Sequence, residues 1–213
     1  MSEHSAGATG APPEVIYIIR HGEKPADSPP AHRKHQPASA PPFGVDHQGS
    51  QDEHSLLTRG WQRSGALAAL FDPAAGPLRA GLRTPATLLA PSYSDPARTR
   101  AHRTCQTIQG LADRLGLAIG TPFEVGHEPK LAGSLLSGYS GVVLICWEHH
   151  HIPALAAAIP AEPGTAIPQR WPGHRFDIIW AFTLLAGTSP PWYAFAQLPQ
   201  LLLSGDANTI IPA

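Results

Sequence analysis

The chain has 213 residues, a formal net charge of −1 and 15% charged residues, against about 25% in a typical soluble domain. That length suits one ordinary domain and excludes two large ones. The charge balance argues against a nucleic-acid partner, which calls for a basic excess. Apolar residues make up 42% of the chain, enough for a core, and the unusual counts are 24 prolines and 12 histidines.

Residues 1–13 read as a flexible tail. They hold no cationic start followed by an apolar stretch, so no secretory signal is expected. No apolar run approaches about 18 residues, so no membrane span is expected. Cys105 and Cys146 are too few for a disulfide framework, and the chain reads as a cytoplasmic protein with two reduced thiols. Residues 14–213 read as a single domain.

Residues 14–20 form an apolar, β-branched run, predicted as a buried strand that stops at His21-Gly22. Residues 24–55 are rich in Pro, His, Ser and Gln and carry His32, His35, His47 and His54. A loop of that length is read as a lid or wall over a site, or as a plain solvated insertion. Thr58 reads as the N-cap of a helix over 59–71, with Trp61 in the core. Residues 86–90 predict a short strand. A second helix is expected from Pro96 or Thr99 to Leu115, closed by Gly116. A strand over 120–125, a short helix over 131–136, a strong buried strand over 141–147 and a helix over 152–159 follow. The runs 175–185 and 192–203 suit late strands, and the second also suits a dimer surface, so the oligomeric state stays open. The alternation predicts an α/β fold, a three-layer α/β/α sandwich with a mostly parallel central sheet.

In open α/β sheets, ligands bind beyond the carboxyl ends of strands. Two strong strands here end in chemistry, one in Arg20-His21-Gly22-Glu23 and the other in Glu148-His149. Arg-His-Gly-Glu after an apolar strand resembles the signature of the histidine phosphatase superfamily, the phosphoglycerate-mutase-like fold. Three features fit its pattern in order. Leu57-Thr58-Arg59-Gly60-Trp61-Gln62-Arg63 resembles its helix start, with the glycine shifted by one. Arg103-Thr104-Cys105-Gln106-Thr107 resembles its Arg-x-x-Gln-Thr motif, and residues 143–149 resemble the strand that leads to its second histidine.

The resemblance spans about residues 14–185 and implies a phosphatase that hydrolyses a phosphomonoester. His21 would be the nucleophile and pass through a phosphohistidine. Arg20 and Arg103 would hold the phosphate oxygens, and His149 would add a donor. The leaving group calls for a general acid. Glu128, in a Gly-His-Glu-Pro turn, is the first choice, with Glu124, Glu148 and Glu23 as rivals or no dedicated acid at all. The residue after His149 is His150, so the His-Asp version of the motif is absent. The expected substrate is a phosphorylated small molecule or a phosphoprotein, with no cofactor, no metal, no nucleic acid and no membrane. Alternatives are a mutase-type phosphotransferase, against which stands Lys24-Pro25 after Glu23, and a non-catalytic phosphate binder. A metal-binding protein is a third. Against it, His149-His150-His151 on an extended chain would point to alternate faces, a poor cage for an ion. Cys105 and Cys146 read as small apolar residues.

Overall fold

The computed structural model describes residues 11–25, 42–93 and 102–213. Three expectations lie partly outside them: the tail of residues 1–13, the first part of the 24–55 loop with His32 and His35, and the helix start at Pro96 or Thr99. Among the described residues the chain is an α/β protein with a six-stranded mixed sheet and four helices. The elements in chain order are β1 (Val15–Arg20), α1 (Thr58–Phe71), β2 (Thr87–Leu89), α2 (His102–Leu115) and β3 (Ile119–Gly120). α3 (Glu128–Gly138), β4 (Val142–Trp147), α4 (Ile152–Ala157), β5 (Ile178–Leu184) and β6 (Tyr193–Pro199) follow.

The strands lie in the order β3-β2-β4-β1-β5-β6. β3, β2, β4 and β1 run parallel, whereas β5 is antiparallel to β1 and β6 to β5. The sheet is mixed, with β5 the one described strand that runs against the others. The short connection between β5 and β6 allows only an antiparallel pair, since a parallel return needs a crossover. β1 and β4 are buried at every residue, which is why they read as unbroken apolar runs rather than alternating ones. Successive side chains still part to opposite faces. Ile16 and Ile18 join Leu131, Leu135 and Leu155 in one core cluster. Val15, Tyr17 and Ile19 join Leu67, Phe71, Ile108 and Leu111 in the other.

Several element limits differ from the pattern for local reasons. Thr58 is the first helical residue, not the cap. Leu57 holds the extended cap conformation (φ −65°, ψ 162°) with no side-chain cap bond. Trp61 is half-buried, because its indole N–H reaches out to the Val45 carbonyl at 2.8 Å. β3 stops at Gly120, since Pro122 lacks the N–H to continue a ladder. The segment rejoins β2's strand line only at a single bridge between Ser92 and Glu124. β5 begins three residues late because Arg175 folds back to bind Asp177, Nε to Oδ1 at 2.7 Å. β6 ends at Pro199, and Leu201 then takes a left-handed conformation (φ 55°) that no strand allows. Among the described residues no helix is long and apolar enough to cross a membrane.

What this topology does for a site is simple. β1 and β4 are parallel neighbours in register, with Arg20 opposite Trp147. The residues that follow them, His21 and His149, therefore leave the sheet at the same edge.

Candidate functional site

His21 is 4% exposed and sits one residue beyond β1. Its Nδ1 lies 2.8 Å from the Gly22 carbonyl oxygen. A carbonyl can only accept, so Nδ1 carries the proton and Nε2 carries the lone pair. The ring stands edge-on to His149, with centroids 6.3 Å apart. Burial, first, and then the positive charge of Arg20 hold His21 well below the usual histidine range. Arg103 and His149 push the same way, against the Gly22 hydrogen bond. A neutral imidazole with an unprotonated Nε2 is the nucleophilic form.

The two arginines are buried and fixed. Arg20 Nη1 donates to the carbonyls of Gly173 (2.6 Å) and Arg175 (3.2 Å). Its guanidinium lies 3.9 Å from the Phe176 ring centroid, a cation–π contact. Arg103, in the first turn of α2, donates from Nη2 to the Glu53 carbonyl at 2.5 Å and from Nε to the Ser55 carbonyl at 3.3 Å. Residues 53–55, the end of the 24–55 loop, are thus tied to α2. Gln106 pins it further, accepting from the Leu56 N–H at 3.0 Å and donating to Ser55 Oγ at 2.8 Å. Thr107 closes the arrangement. Its hydroxyl accepts from the Gly22 N–H at 2.7 Å and donates to the Arg103 carbonyl at 2.7 Å.

Gly60 explains the helix-start motif. A Cβ there would sit 2.6 Å from the Glu23 carbonyl oxygen, and one on Gly22 would sit 3.1 Å from Gly60 Cα. The first turn of α1 can lie against the His21 loop only because both residues are glycine. Leu57 N–H then bonds the Glu23 carbonyl at 2.9 Å.

The carboxylates occupy other places. Glu23 is clamped by Arg63 (Nη2 to Oε1, 2.8 Å; Nε to Oε2, 3.1 Å) and by Arg59 (Nε to Oε1, 3.1 Å). Arg63 also binds Asp206, Nη2 to Oδ1 at 2.7 Å, so Glu23 belongs to a structural network. Glu128 is buried at the start of α3. Its Oε1 accepts from the Gly126 N–H (2.9 Å) and the Trp147 indole N–H (3.0 Å), with His151 Nδ1 at 3.2 Å. Burial pushes its carboxyl up, but those donors and the His151 charge outweigh burial and hold it below the usual carboxylate range. Glu124 is exposed and Glu148 half-buried.

His149, His150 and His151 form a turn rather than an extended run. His149 is buried and its ring stacks on His150 at 3.9 Å between centroids, while His151 faces Glu128. Among the described residues no group of three or more His, Cys, Asp or Glu is arranged to hold a metal ion. Cys146 is fully buried, and burial pushes its thiol well up, so it is no thiolate nucleophile.

His21, Arg20, Arg103 and His149 thus come together; Glu128 joins the turn behind His149. Sequence reasoning missed Thr107, though it lies within the quoted Arg103 motif. It also missed Phe176 and the 172–175 carbonyls, for which no local pattern exists.

No protein-family model matches the chain, and no curated protein matches it either.

Proposed function

We propose that this protein is a phosphomonoesterase that works through a phosphohistidine on His21. In this reading the two core clusters are the two interfaces of a three-layer α/β/α sandwich of the phosphoglycerate-mutase-like kind. The observation that carries it is the state of His21. Its ring is buried with Nδ1 2.8 Å from the Gly22 carbonyl, and burial with the charges of Arg20, Arg103 and His149 favours the neutral form.

The steps follow from that geometry. His21 Nε2 attacks phosphorus in line, a P–N bond forms and the P–O bond to the leaving group breaks. Charge on the equatorial oxygens is met by the Arg20 and Arg103 guanidiniums and the His149 ring. The Gly22 carbonyl stabilises the Nδ1–H as the ring becomes cationic. Water then attacks the phosphohistidine, the P–N bond breaks and inorganic phosphate leaves. The donors around Glu128 favour its anion, which is the wrong state for protonating a leaving group. In this reading Glu128 anchors the turn that carries His149, and the leaving group departs without a dedicated carboxylic acid.

Hydrolysis of a chromogenic aryl phosphate, inhibited by vanadate, tests the proposal. His21→Ala should lose at least about a thousandfold in kcat. Arg103→Ala should lose roughly a hundredfold or more. Turnover undiminished in His21→Ala would refute it. The engaged state of Glu128 also favours a second reading, a phosphate binder without turnover. Phosphate binding with no hydrolysis of any ester in a broad panel would favour that one.

A further inference from the structure

A cavity of about 530 Å³ opens beside His149, within the range of roughly 300–1,000 Å³ typical of small-molecule sites. It shares His149, Pro172 and Gly173 with the surroundings of the phosphate centre, since Gly173 also holds Arg20 through its carbonyl. We propose that this cavity receives the leaving group, and that the substrates are aryl phosphates bearing an anionic substituent. This rests on the phosphatase reading given above.

The walls decide the chemistry. Trp171, Pro153, Ile211 and Pro212 present rigid apolar surface. Trp171 is locked in place, its indole N–H donating to the Arg175 carbonyl at 2.8 Å and its ring 5.0 Å from Trp180. A wall fixed in advance in this way loses little entropy when a rigid ring packs against it. Among the described residues no Asp or Glu lines the cavity, so an ammonium-bearing group would give up its water with no side-chain carboxylate among them to receive it. Arg170, exposed on the rim, supplies the complementary charge for an anionic substituent. The leaving-group chemistry agrees. With Glu128 held as an anion, a phenolate departs far more readily than an alkoxide.

Equilibrium binding of phosphonates, which cannot be hydrolysed, tests the cavity apart from catalysis. Methylphosphonate, benzylphosphonate and 4-carboxybenzylphosphonate are titrated into the full chain by calorimetry. Benzylphosphonate should bind at least tenfold tighter than methylphosphonate, and the carboxyl group should add several-fold more. Pro212→Trp, an exposed rim change that fills the cavity, should bring the benzyl-to-methyl ratio near one. Arg170→Ala should abolish only the gain from the carboxyl group. Equal binding of methyl- and benzylphosphonate, or a benzyl preference that survives Pro212→Trp, would overturn the proposal. In parallel, turnover of phenyl phosphate reports on the phosphatase reading. Discrimination among phosphonates without turnover sinks that reading and keeps the cavity assignment as a binding site. Turnover without discrimination sinks the cavity assignment alone.

Discussion

At the scale of single residues, the state of His21 follows from its neighbours. A histidine at a strand end is ordinarily near half-charged around pH 6.5. Here burial and the Arg20 guanidinium, with Arg103 and His149 behind them, hold it well below that value. A direct NMR titration of the His21 ring should therefore give a midpoint well under 6.5. Arg20→Gln removes the strongest of the charges acting on it, so the midpoint should rise toward 6.5. A midpoint at or above 6.5 in the unaltered chain would contradict this account of the site. Glu128→Gln should leave aryl phosphate turnover within a few-fold, because the donors around Glu128 already favour its anion and the proposed mechanism gives it only the anchoring of a turn. A loss of a hundredfold or more would return proton delivery to Glu128.

Among the elements, two junctions hold the site together. One is the glycine contact between α1 and the loop after β1. Gly60→Ala would place a methyl 2.6 Å from the Glu23 carbonyl, so α1 must shift. The expected cost is about 1–3 kcal/mol in urea unfolding, as for other overpacked sites. The other is Arg63 with Glu23 and Asp206, an ion network whose side chains are 10% exposed or less. Arg63→Met would remove the buried partner of both carboxylates, leaving Glu23 with Arg59 and Asp206 with the Leu202 and Leu203 N–H groups, so the expected loss is at the low end for a broken buried ion pair, about 3 kcal/mol. The motif around Leu57 and Gly60 was legible in sequence only as a resemblance, with the glycine shifted by one, and the crowding against the Glu23 carbonyl that requires a glycine there shows only in the fold. The motif's partners Gln200 and Asp206 were not legible, because they arrive from beyond β6 through bonds to Arg63 that no local period encodes. The same contrast holds for the sheet. β1 and β4 were plain from their β-branched runs, whereas the antiparallel placement of β5 depends on pairing with distant β1. The end of β3 depended on one proline.

For the whole molecule, the same site shapes stability. His21 and His102 are held below the usual histidine value in the folded chain. Below about pH 6.5 the unfolded chain takes up protons there that the folded chain refuses, so stability should fall as pH drops. His21→Asn should flatten part of that slope. Asp206 and Glu128 are held below their usual values when folded, so their contribution is lost at lower pH still, as they protonate. Inorganic phosphate should stabilise the folded chain, by about 2.7 kcal/mol at a hundred times its Kd, or roughly 5–10 °C in Tm for a domain of this size. Arg20→Gln with Arg103→Gln should erase that shift. The near-neutral charge of the chain is compatible with anion binding because the two buried arginines lie at the ends of β1 and α2, where they face the same histidine. The most direct measurement is to quench the protein during incubation with an aryl phosphate and map any bound phosphate. The account predicts an acid-labile, base-stable phosphate on His21, absent from His21→Ala. Steady turnover with no phosphate on His21, or phosphate on another residue, would contradict it.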